Sequence, residues 1–225
     1  MKSKSDFLAI AARNILRPAL AEYGFQEYAK KHYFRLCGNI AQFLDLQKSS
    51  WGGGDFAVNY SVFLLAPPRK FIGSIFGGRL PRGKSSDGWW KSSKPEFAEA
   101  SIHEVVSTFR SFTWPIFQQT STLEGYIAAL KGRGEHLSPH IPAEIGCALI
   151  LNNQINQALP YIERAEREYR DFSSSLEKVD WSLQAADRMA HLREAMNAGS
   201  QGELLNAWIR ESVVKLELDT KWVGG

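Results

Sequence analysis

A chain of 225 residues with 44% hydrophobic content carries enough apolar surface for one large domain or two small ones, which excludes a disordered polypeptide. Its net charge of +3 and pI near 8.8 permit an acidic partner but fall short of the basicity of a dedicated nucleic-acid binder. Cys37 and Cys147 cannot build a four-thiolate zinc site or a disulfide framework; no segment reaches the roughly 18 apolar residues of a membrane span, and the N-terminus turns polar too soon for a signal peptide. A reducing, cytoplasmic setting away from membranes is therefore expected.

In chain order, residues 6–23 read as a helix, with Phe7, Ile10, Ala11, Ile15 and Leu20 near helical spacing, Ser5 as its cap and Gly24 as its stop. Pro18 is the misfit, and should kink this helix or begin its second half. A polar approach over 26–31 leads into strands at 33–37 and 40–46, separated by Gly38 and Asn39, a pair that favours a tight hairpin. That turn sets Cys37 against Ile40, Arg35 against Gln42 and Phe34 against Phe43. Residues 47–54, with Trp51 and three glycines, form a loop. Residues 56–64 then alternate, with Phe56, Val58, Tyr60, Val62 and Leu64 on one face, as a sheet with one buried side requires.

Residues 67–95 read as the least regular part, with seven Lys or Arg against Asp87 alone, a segment of +6 on a chain of +3. A helix starting at Pro95 or Glu96 runs to about Phe112 before Trp114 and Pro115 interrupt it. Ser121 and Glu124 have capping-box spacing in front of a further helix, and Gly132, Gly134 and Pro139 mark a boundary between 1–134 and 135–225. Beyond it, residues 142–151, 155–170, 179–198 and 203–218 are helical. The expected fold class is α+β: an antiparallel β-sheet covered by helices, followed by an all-helical C-terminal part.

The run Gly24, Phe25, Phe34, Arg35, Leu46, Gln47, Lys48, Ser49, Asn59, Trp89, Trp90, Pro115 and Leu123 resembles the bacterial family catalogued as domain of unknown function 4304, over about residues 5–131. The QKS strand end and the GWW segment are its most specific parts. The resemblance implies a fold and, through the placement of some such families beside toxin genes, an immunity-type role. Gly146, Ala158 and Ala165 match the small-residue spacing of a tetratricopeptide-like helical hairpin, without a second copy that would make an array.

Chemistry leaves few marks. His136 and His140 flank Pro139 with no third ligand nearby in sequence; WGGGD and FGGR lack phosphate-loop endings; Cys37 and Cys147 sit in apolar runs. Neither a catalytic set, a metal site nor a cofactor is predicted. Asp45 is a hydrogen-bonding strand residue unless a second carboxylate lies beside it. The binding candidates are Gln47, Lys48, Ser49 and Asn59, gathered at one sheet end beside Arg35, together with Arg79, Arg82, Lys84, Trp89 and Trp90 in the basic segment. Against these stand structural alternatives: Gln47 and Asn59 bonding to the loop backbone, and Trp89 and Trp90 anchoring the segment to the core. The expected function is non-enzymatic binding of another protein, one with an acidic surface; the alternative is a hydrolase or nucleic-acid-acting enzyme that uses the 67–95 loop on its substrate.

Overall fold

The computed structural model describes residues 6–29, 31–68, 72, 75–83, 88–133, 138–175 and 180–218. The hairpin forms where the turn chemistry places it. Strand β2 (His32–Cys37) and strand β3 (Ile40–Lys48) are joined through Gly38 at φ +56°, a left-handed conformation that glycine adopts without a Cβ clash. Two cross-strand contacts report its register: Arg35 Nε donates to Gln42 Oε1 at 3.1 Å, and the Phe34 and Phe43 rings stack at 6.0 Å.

Among the described residues the strands make one six-stranded antiparallel sheet. Its order is β1 (Gln26–Ala29), β2, β3, β4 (Asp55–Leu64) and β5 (Phe76–Arg79), with β6 (Trp90–Lys91) also paired to β4. Both β1 and β5 fall where the sequence reads as irregular. β1 is an edge strand of largely exposed residues without an apolar alternation, and β5, Phe-Gly-Gly-Arg, has two residues with no side chain to show a period. β4 also differs from its expected one-sided burial, since Ala57, Ser61 and Phe63 are buried as well as the Phe56 face. It is central, paired on both edges with β3 on one side and β5 and β6 on the other, so both of its faces lie inside the structure.

The N-terminal helix is continuous through a single widened turn. Segments α1 (Phe7–Ala11) and α2 (Arg17–Ala21) flank a π-helical turn, Ala12–Leu16. The same device recurs where α3 (Pro95–Thr108) and α4 (Trp114–Gln119) flank the π turn Phe109–Thr113. In each case a proline, Pro18 or Pro115, is the second residue after the turn. A proline ring inside an α-helix collides with the carbonyl four residues earlier, and the extra residue of a π turn moves that carbonyl aside. The helix over 95–119 is thus carried through Trp114 and Pro115 rather than ended by them. Two caps also shift by one residue. Asp6 caps α1, accepting from the Ala9 N–H at 3.1 Å, whereas Ser5 lies outside the described residues. Thr122, not Ser121, caps α5 (Leu123–Gly132) by accepting from Gly125 N–H at 3.1 Å, because its backbone is the extended one immediately before the helix.

Among the described residues the chain divides into two compact units: Met1–Leu36, Ala41–Val62 and Phe76–Gln118 in the first; Cys37–Ile40, Phe63–Ile75 and Gln119–Gly225 in the second. In the first, α1 to α4 cover one sheet face. Phe109 and Phe117 pack edge-on or tilted against Tyr23, Phe25 and Tyr60 at 5.3 to 6.2 Å. In the second, α6 (His140–Leu151) is buried from Ile141 to Ile150, the pattern of a helix enclosed on all sides. Around it pack α5, α7 (Ile155–Ser175) and α9 (Gln201–Lys215), with α8 (Asp180–Ala198) against α7 and α9.

Candidate functional site

Strand pleating divides the candidate residues of the first unit into two sets. Side chains two apart share a face, so Asp45 and Gln47 on β3 lie beside Asn59 on β4, and Asn59 is directly opposite Arg79 on β5. Asn59 Nδ2 donates to Asp45 Oδ2 at 3.2 Å and to Gln47 Oε1 at 3.1 Å. Arg79 Nε donates to Asn59 Oδ1 at 3.5 Å, and its guanidinium lies 4.8 Å from the centroid of the Trp89 ring. Arg82 Nη1 donates to the Trp89 carbonyl at 2.8 Å while its Nε forms an ion pair with Glu104 at 3.2 Å. Burial pushes the Asp45 carboxyl above the usual carboxylate range, against the Asn59 hydrogen bond and the charges of His32 and Arg79. Gln47 and Asn59 therefore bond to each other and to neighbouring strands, rather than to the loop backbone.

The remaining candidates lie elsewhere. Arg35 is on the helix-covered face, 4.8 Å from the Trp114 ring centroid and 5.7 Å from that of Phe25. It donates to the Tyr23 carbonyl at 3.1 Å and to Gln42, whose amide continues to the Phe117 carbonyl at 2.7 Å. This chain of bonds ties sheet to helices across an apolar interior. Lys48 pairs with Asp6 at 2.9 Å, and Ser49 Oγ accepts from Trp51 N–H at 3.2 Å. Trp90 is fully buried, its ring stacked on Phe56 at 6.0 Å, so it anchors the segment and presents nothing to a partner. Lys84 and His136 lie outside the described residues.

Two features carry no recognisable sequence signal. Trp51, in the β3–β4 loop, is 96% exposed, an uncommon setting for so large an apolar side chain. The second unit contains a cavity of about 420 Å³ lined by residues from Pro67 to Lys215, including Glu144, His140, Tyr169, Trp181 and Arg188. His140, considered in the sequence for its spacing from His136, instead meets the Tyr169 hydroxyl at 2.7 Å. Among the described residues no three His, Cys, Asp or Glu converge as a metal ion requires, and no helix is long and apolar enough to cross a membrane. Cys37 is half-buried and Cys147 buried, and neither is in a disulfide.

Comparison with curated proteins and with solved structures gave no match. Residues 16–119, which run from the end of the first π turn to the end of α4 and hold the whole sheet, match the family model described as Domain of unknown function (DUF4304).

Proposed function

We propose that this protein works by binding another protein, through the Arg79–Trp89 side of the first unit's sheet, and that the partner presents an acidic surface. The observation that carries this reading is the double hold on Trp89: Arg79 lies over its ring at 4.8 Å and Arg82 holds its carbonyl at 2.8 Å. A cation and an aromatic side chain are thereby ordered before any partner arrives, which lowers the entropic cost of association, and Arg and Trp are the residue types that dominate binding hot spots. The +6 segment on a chain of +3 adds long-range attraction for a negative surface. The immunity-type form of this role and its bacterial setting draw on the family resemblance, and the cytoplasmic placement draws on the two widely separated cysteines and the lack of a membrane-length apolar run in the sequence. The tetratricopeptide-like reading of α6 and α7 draws on Gly146, Ala158 and Ala165, all three buried.

The test is association kinetics against a partner first identified by affinity capture. Replacing Arg79, Arg82 and Lys84 together by Ala should slow association by roughly 10-fold at low salt and flatten its salt dependence. Stability should fall by no more than about 2 kcal/mol, since the exposed Arg82–Glu104 pair contributes about 1 kcal/mol or less and the Arg79–Trp89 contact roughly 1 kcal/mol. Association that is equally fast in the triple variant at low and high salt would overturn this reading.

A further inference from the structure

The cavity of the second unit brings together three kinds of group. The first is an acid. Glu144, 1% exposed on the buried helix α6, accepts from the Leu64 N–H at 3.3 Å and from the Tyr126 hydroxyl, which fixes its carboxyl group in place. The second is an aromatic wall. The His140 and Trp181 rings stack at 5.4 Å with an interplanar angle of 18°, and Tyr169 meets Trp181 edge-on at 6.3 Å. The Tyr169 hydroxyl bonds His140 Nδ1, and its carbonyl accepts from Ser182 Oγ at 2.5 Å, so α8 holds the wall from behind. The third is a cation. Arg188 is half-buried on α8 and lines the cavity, yet it has no ion pair or hydrogen bond among the described residues. Lys215, also on the lining, is held by Glu211 one turn away.

A half-buried guanidinium is costly to leave without an anion, and its planar fork suits a carboxylate or phosphate. The stacked rings suit a flat partner, since aromatic faces pair in offset or edge-to-face arrangements. The Glu144 carboxyl already accepts from one N–H and one O–H, and carboxyl oxygens have the capacity to accept from a ligand N–H as well. A volume of about 420 Å³ holds a ligand with a bicyclic ring and a short acidic tail. We propose that this cavity binds a small anion carrying a flat, N–H-bearing ring, with the ring on the Tyr169–Trp181 wall, its N–H toward Glu144 and its acidic group on Arg188. The acidic group has two chemical sources, the phosphate of a purine nucleotide and the carboxylate of an aromatic amino acid. This site is independent of the sheet surface assigned above.

The experiment is titration of the full chain with guanosine 5′-monophosphate and with L-tryptophan, read by calorimetry. Guanosine and tryptamine, which keep the rings and lack the acid, serve as controls. Saturable binding of either acidic probe with Kd below about 1 mM, weakened at least ~10-fold by removal of its acidic group and by Arg188→Met, is the expected result. Binding of the nucleotide alone assigns phosphate, and binding of tryptophan alone assigns carboxylate. Trp181→Ala should abolish either. No saturable binding of either probe to the unmodified chain, or equal binding by a folded Arg188→Met variant, would overturn the proposal. Should Arg188→Met fail to fold, the acidic probes and their uncharged counterparts decide on the unmodified chain, and equal affinity within each pair counts against it.

Discussion

Gly54 lies so close to Ser93 that a Cβ added to it would fall 2.8 Å from both the Cα and the backbone nitrogen of that residue. The approach is what joins β6 to the start of β4, since Ser92 N–H and Oγ both bond the Gly54 carbonyl, at 2.7 and 2.8 Å. Gly54→Ala meets both this backbone collision and a left-handed φ of +77°. Gly52 shares the left-handed φ, at +81°, with nothing within 4 Å. Urea unfolding should show Gly52→Ala costing roughly 1 kcal/mol and Gly54→Ala at least twice that. Equal costs would mean that backbone strain alone decides this loop.

Gly146 and Ile162 make the corresponding contact in the second unit, where an added Cβ would fall 2.4 Å from Ile162 Cδ1. Both residues are buried. Gly146→Ala should cost about 1 to 3 kcal/mol by overpacking, and Ile162→Val, which removes that methyl group, should recover part of the loss in the double variant. Strict additivity of the two changes would place the strain elsewhere.

Asp6 gives a pH signature. Burial alone raises its carboxyl, but hydrogen bonds from Lys48 and the Ala9 N–H, with the charges of Lys31 and Lys48, hold it below the usual value of 3.8. A folded-state value below the unfolded one means that the unfolded chain binds more protons in between, so stability rises with pH across that window. The contribution is complete above 3.8 and is lost as pH falls through the lowered folded value. Asp6→Ala should therefore cost about 1 kcal/mol near neutrality, from the lost cap, with the gap to the parent protein narrowing in acid below that value. A gap independent of pH would show that neither the Ala9 N–H bond nor the Lys31 and Lys48 charges favour the ionised carboxyl.

The adjacent tryptophans should separate sharply in mutagenesis. Trp90→Ala empties a fully buried site and should cost about 3 to 5 kcal/mol. Trp90→Phe should cost much less, since the indole N–H has no hydrogen-bond partner among the described residues and its loss leaves nothing unpaired. Trp89→Ala forfeits the Arg79 contact, worth roughly 1 kcal/mol, and should act on partner association more than on melting temperature. Similar destabilisation by both alanine variants would remove Trp89 from the binding surface.

What the sequence determined by itself was local. The Gly38–Asn39 turn, strands β2 to β4, the presence and order of the long helices and the α+β class follow from φ preferences and from periods of 2 and 3.6 residues, which neighbouring residues set among themselves. Tertiary structure decided the rest. It carried two helices through Pro18 and Pro115 by π turns, whose extra residue moves aside the carbonyl that the proline ring would meet. It added β1 and β5 by pairing with strands already formed, where no alternation exists to read. It parted Arg35 and Lys48 from Gln47, Asn59 and Arg79, since the pleat assigns faces by register. It also assembled Glu144, Tyr169, Trp181 and Arg188 around one cavity. Those residues stand on three different helices, and no spacing within a single element can encode a space that exists only after the elements have packed.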